Sequence, residues 1–154
     1  MTSIYHKNIP LIQKLFSIPF GGSAPFQAEC VFVNLKTFLN LKWGTKEPMV
    51  FRDSDFDFVR LRGFGKFSMR VKDPQLFVNS VVGGQGHFST DAIEDWLRDN
   101  IVLHVNDVLG ENLKSILDLP KFMEELGTAT KARAHDDFDK YGIELADLVI
   151  GSIS

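Results

Sequence analysis

The chain has 154 residues, 44% of them hydrophobic and 24% charged, with a formal net charge of -3 at pH 7. That length suits one globular domain with a substantial core and excludes disorder as the dominant state. Acidic residues outnumber basic ones, so no broad nucleic-acid-binding face is expected, and a single cysteine excludes an intrachain disulfide.

No run approaches the about 20 consecutive apolar residues that a membrane-spanning helix needs, and the first residues do not follow the order of a signal peptide. The lack of a cysteine framework points to a reducing, cytoplasmic setting. Fourteen Phe against two Tyr and two Trp suit core packing or subunit burial better than stacking on wet ligands. Cys30, inside the apolar run 28–33, is expected as a small buried thiol.

In chain order, Ile9, Leu11, Ile12, Leu15 and Phe16 have the spacing of a short helix capped by Asn8, with Pro10 in its first turn. Gly21, Gly22 and Pro25 break it, and β-branched and aromatic residues predict a strand over 26–35. Short extended pieces are expected over 39–43 and 48–51, the second ending in a polar turn at 52–55. Residues 58–71 then alternate, with Val59, Leu61, Phe67, Met69 and Val71 on one parity and Arg60, Arg62, Lys66, Ser68 and Arg70 on the other. That pattern predicts one long strand with one buried face. Gly63 and Gly65, on the buried parity, predict a bulge, a bend or the close approach of a packed helix, and Phe64 is the apolar exception on the basic parity.

Asp73 and Pro74 end the strand and start a helix over 75–82, closed by Gly83, Gly84 and Gly86. A second helix opens at Ser89 or Thr90, where Asp91, Glu94 and Asp95 favour the positive end of its dipole. Its core stripe is Ile93, Trp96, Leu97, Ile101, His104, Val105 and Val108, and Leu109 and Gly110 stop it. A third helix, from near Asp118 and Pro120, carries Phe122, Met123, Leu126 and Phe138 inward and ends at Tyr141 and Gly142, a left-handed cap. The tail 143–154 reads as a strand buried on both faces. Strands, then helices, then a closing strand make the fold class α+β: a largely antiparallel sheet against three to four helices.

Candidate chemistry is sparse. Asp53, Asp55 and Asp57 alternate as in the opening of a calcium loop, but Phe58 stands where the loop needs Gly and Phe64 where it needs a bidentate Glu, so a solvated turn is the favoured reading. The glycines at 83, 84 and 86 match neither nucleotide-binding motif and read as a hinge. Histidines 6, 87, 104 and 135 lack metal-ligand spacing, with His104 a core-edge residue, and no nucleophile elbow is present. No catalytic, cofactor or metal residue is therefore assigned, and no enzyme is expected. The surface feature with functional promise is the stripe Arg60, Arg62, Phe64, Lys66 and Arg70, which suits anionic lipid headgroups or an acidic partner; the bland alternative is a solvated sheet face paired with nearby carboxylates.

Several segments together resemble a known family. They are Val33 and Asn34, residues 41–45, residues 48–53, residues 59–62, residues 65–68 running into Lys72, Asp73 and Pro74, Leu97 and Arg98, and residues 141–145 leading into 150–154. On these, the stretch 26–154 resembles the SPFH (stomatin, prohibitin, flotillin), or band 7, superfamily, and more narrowly its soluble virion-core-protein-like subfamily. The resemblance implies a non-catalytic scaffold that self-associates and works at or near membranes, organising lipids, proteases or stress-response partners. It also implies extra strands before the region matching 9–16 and a coiled-coil segment after the closing strand, so the 154 residues are expected to be a single, partial SPFH-like domain. The competing expectations are a soluble protein-interaction module without lipid contact and, last, a histidine-dependent hydrolase.

Overall fold

The structure, a computed structural model, describes residues 5–7, 30–82 and 90–154. The chain forms two compact units, residues 1–34 and 35–154. In the first, β1 (Tyr5–Lys7) pairs antiparallel with β2 (Val31–Val33), Tyr5 opposite Val33. Cys30 is exposed just before β2, which corrects the expectation of a buried thiol. The strand expected over 26–35 is seen, among the described residues, only as β2. The helix expected over 9–16 and the glycine run 83–86 lie outside the described residues.

The second unit begins with β3 (Phe38–Gly44), β4 (Met49–Asp53) and β5 (Asp57–Leu61), then β6 (Gly63–Val71). A short helix, α1 (Pro74–Phe77), runs into a π turn (Val78–Val82). Helix α2 (Thr90–Asn112), a 3-10 turn (Ile116–Asp118), α3 (Leu119–Asp139) and β7 (Ile143–Ile153) complete it. Strands β3, β6 and β7 form one antiparallel sheet with β6 in the middle, while β4 and β5 make a separate hairpin. The fold is α+β, with antiparallel sheets and, among the described residues, three α-helices.

The strand predicted over 58–71 is divided in two at Arg62. The division follows from pairing: β5 bonds to β4, β6 bonds to β3 and β7, and one chain cannot serve both sheets at one place. Arg62 nevertheless exchanges two backbone bonds with Ser154, at 2.8 and 2.9 Å, so the chain stays extended through the break. The alternation is therefore continuous from Arg60 to Phe67, with Leu61, Gly63, Gly65 and Phe67 buried and Arg60, Arg62, Phe64 and Lys66 exposed. Ser68, expected outside, is buried and accepts a bond from the Asn40 N–H.

The close approach that Gly63 and Gly65 foreshadow comes from Trp43 of the neighbouring strand rather than from a helix. The buried Trp43 indole crosses beneath β6 and donates from Nε1 to the Val149 carbonyl at 3.3 Å. A Cβ on Gly65 would sit 2.0 Å from that carbonyl oxygen and 2.7 Å from Nε1. Opposite, β7 carries two bulges. Gly151 is skipped between the pairs Phe64–Ser152 and Gly65–Ile150, and Ala146 between Ser68–Asp147 and Met69–Leu145. The second bulge changes the buried parity, from Ile143 and Leu145 before it to Leu148 after it. That shift, not burial on both faces, explains the apolar residues on each parity of the tail.

The helices cover the buried side of the strands, α2 against β3 and β4, and α3 against β7 and α2. Ile93, Leu97, Ile101, Val105, Val108 and Leu109 form the buried stripe of α2. Trp96, expected inside, is 37% exposed, at the stripe's edge, edge-on to Tyr141 at 4.7 Å between ring centres. Glu94 is buried and ion-paired with Arg98, so its role is not limited to the helix dipole; the same Arg98 donates from Nε to the Lys42 carbonyl at 2.8 Å, tying α2 to β3. Gly110 does not stop α2, which continues to Asn112. In α3 the buried residues step by turns through Leu119, Leu126, Thr130, Ala134 and Phe138, leaving Phe122 and Met123 half-buried rather than inward. Gly142 has the expected positive φ of 71° and packs on the Asp73 carbonyl.

Two glycine substitutions test this packing. Gly65→Ala should lower unfolding free energy by roughly 3 kcal/mol or more, because the new methyl meets backbone and indole that cannot yield. Gly110→Ala, whose Cβ meets nothing within 4 Å in helix α2, should raise it by about 0.5–1 kcal/mol. Urea unfolding followed by circular dichroism measures both.

Candidate partner-binding face

The hairpin that presents the first half of the basic stripe is closed by a carboxylate. Asp53 Oδ1 accepts from the N–H groups of Asp55 at 2.7 Å and Phe56 at 3.1 Å, which folds the turn. Its Oδ2 accepts from the Ile116 N–H at 2.6 Å, and Ser115 Oγ donates to Asp55 Oδ2 at 2.9 Å. Residues 54–57 are exposed, as a solvated turn should be, but Asp53 is buried and latches the turn to the connection between α2 and α3. Burial pushes the Asp53 carboxyl up, but the bonds from Ile116, Asp55, Phe56 and Ser115 outweigh that and hold it below its ordinary value.

Positioned this way, Arg60, Arg62, Phe64 and Lys66 all project from the exposed parity of β5 and β6, as predicted. Arg70 is exposed as well but is engaged, its guanidinium paired with Glu144 directly across on β7. The register adds residues that reading one strand at a time could not supply. Arg60 stands opposite Val50, and Phe58 opposite Arg52. Lys66 stands between Lys42 and Val149, and Phe64 between Gly44 and Ser152. Phe58 is 70% exposed, Val50 64% and Phe64 61%. The Phe64 ring lies over Gly151, where a Cβ would meet its Cε2 at 3.3 Å, so the glycine leaves room for the ring.

Among the described residues, Lys42, Arg52, Arg60, Arg62 and Lys66 have no carboxylate partner. Lys42 and Lys66 face each other across the ladder, a like-charge arrangement that costs stability. The geometry is that of a surface receptive to anions with apolar groups interspersed. Among the described residues no three His, Cys, Asp or Glu are placed to hold a metal ion. None of the described helices is long and apolar enough to cross a membrane.

A family model described as SPFH domain-Band 7 family matches residues 2–154. The chain belongs to the SPFH/band 7 family. No curated protein matches it.

Behind the exposed face of this SPFH chain, a polar seam joins α2 to α3. Asp137 Oδ2 receives His104 Nε2 at 2.8 Å and Asn100 Nδ2 at 3.3 Å, while Oδ1 accepts from Lys140 at 3.0 Å. His104 is half-buried at the core edge, as its sequence position suggests, and serves this bond between helices. Lys140, His104 and Asn100, in that order, hold the Asp137 carboxyl down at about 2. A folded-state value below the unfolded one stabilises the fold above the unfolded value, and that contribution disappears as pH falls through the folded value. Acid unfolding should therefore show a loss of about 2 kcal/mol between roughly pH 5 and pH 1 that Asp137→Asn largely removes. Urea midpoints measured across that range check it.

Proposed function

We propose that this SPFH chain is a non-enzymatic, self-associating scaffold that acts at the membrane surface as a peripheral protein, in the manner of the virion-core-protein-like subfamily. Its membrane face is the stripe Arg60, Arg62, Phe64 and Lys66, with Arg70 at the paired end. The observation that supports this most is the group of exposed cations that have no carboxylate partner among the described residues, interrupted by an exposed Phe64. Cations near an anionic leaflet each contribute roughly 1 kcal/mol, and the exposed ring adds apolar attraction.

Arg70 favours a second reading. Its pairing with Glu144 shows that a carboxylate can occupy this face, so a soluble interaction module meeting an acidic protein is the alternative. Flotation with phosphatidylcholine vesicles, with and without one-quarter phosphatidylglycerol, separates the two. The scaffold reading expects flotation only with the anionic vesicles and, for Arg60→Gln with Arg62→Gln, a loss of about 2 kcal/mol, roughly thirtyfold. An intact protein that ignores anionic vesicles while capturing an acidic protein partner would favour the alternative.

A further inference from the structure

We infer that the membrane-docking surface extends onto the β4–β5 hairpin, with Phe58 and Phe64 as two apolar pins seated in an anionic lipid surface and Arg52, Arg60, Arg62, Lys66 and Lys42 holding the phosphates around them. The inference rests on the membrane reading above and adds the extent of the contact.

Arg62 sets the phase of this face. Its paired backbone bonds to Ser154 carry the strand alternation across the gap between the two sheets without a slip. The exposed parity of β5 therefore becomes the exposed parity of β6, and Phe58, Arg60, Arg62, Phe64 and Lys66 follow one another on one side of the chain. Six residues of extended backbone separate the two rings by about 20 Å. Each ring has cationic neighbours: Phe58 lies opposite Arg52 and two residues from Arg60, and Phe64 stands between Arg62 and Lys66 along the strand.

The choice of occupant follows from this mixture. An acidic protein surface would satisfy the cations, but it gives no reason for phenylalanines exposed by 70% and 61% between them. An anionic bilayer presents phosphates with hydrocarbon directly beneath. Arg and Lys can extend their flexible stems back to the phosphate level while the shorter, rigid rings enter the acyl boundary. The Lys42–Lys66 juxtaposition is relieved by the same negative layer.

The test uses the full chain and the same two vesicle compositions. Phe58→Ser and Phe64→Ser should each weaken binding to phosphatidylglycerol-containing vesicles roughly tenfold, with unchanged far-ultraviolet circular dichroism. Phe58→Trp and Phe64→Trp should each add emission that shifts to shorter wavelength on vesicle binding and is quenched by lipids brominated near the headgroup end of the chain. If the protein still floats but Phe58→Trp emission is unmoved and Phe58→Ser is harmless, the hairpin is not in the contact; this inference fails while the membrane reading stands. If the unsubstituted protein binds neither vesicle, both fail together.

Discussion

Everything the exposed face can do depends on the phase of one extended chain. Side chains on a strand alternate strictly, so a single-residue slip between β5 and β6 would turn the cations of one segment toward the core. The two segments belong to different sheets, and such junctions are natural places for a bulge. Here the junction is one residue long and is bonded through both backbone groups to Ser154. The neighbours of β6 supply the extra residues where its ladders are irregular: β7 at Gly151 and Ala146, and β3 between Phe38 and Leu41. The cationic strand remains regular from Gly63 to Phe67 because its neighbours absorb the mismatch.

Trp43 explains why position 65 must be glycine. Its indole needs a path beneath β6 to reach the Val149 carbonyl, and any side chain on Gly65 would occupy that path. With Trp43 buried against the underside, Phe64 and Lys66 are left on the outer side with no core space to turn into. The same arrangement gives the carbonyl of Val149, next to the Gly65–Ile150 pair, a donor from a side chain. Packing on the inner side thus decides which residues remain outside.

Much of the fold was legible because it is written in local periodicity. The alternation across 58–71 apart from Ser68, the apolar stripe from Ile93 to Val108 apart from Trp96 and His104, the Asp73–Pro74 helix start and the cap at Gly142 are short-range signals that the structure realises. The readings that changed involve partners distant in sequence. Asp53 looks like a solvated turn residue until the Ile116 N–H arrives from 63 positions away. Ala146 looks like a regular strand residue until β6 skips it. The basic stripe itself was visible, and Phe58 continues it along β5, but Val50, Arg52, Lys42 and Val149 join it only through cross-strand register, which one sequence does not specify. Trp96 kept its helical phase yet lies at the margin of the stripe, where it meets Tyr141 rather than the sheet.

The distribution of charge gives the exposed face its significance. The carboxylates of the helices are taken up by other cations: Glu94 and Asp95 by Arg98, Asp99 by Lys46, Glu111 by Arg133, Asp137 by Lys140, and Asp139 by Lys72. A chain with a net charge of -3 has acidic groups to spare, yet among the described residues none is directed to Arg60, Arg62 or Lys66. Exposed ion pairs contribute little to folding, so leaving these cations unpaired costs the fold little, and pairing them internally would gain it little. What pairing would cost is access, because a carboxylate in place occupies the positions that an external anion needs. Arg70, bound to Glu144, marks where that access ends along β6. The lysines at 42 and 66, opposed across the β3–β6 ladder, add a like-charge pair to the same exposed face.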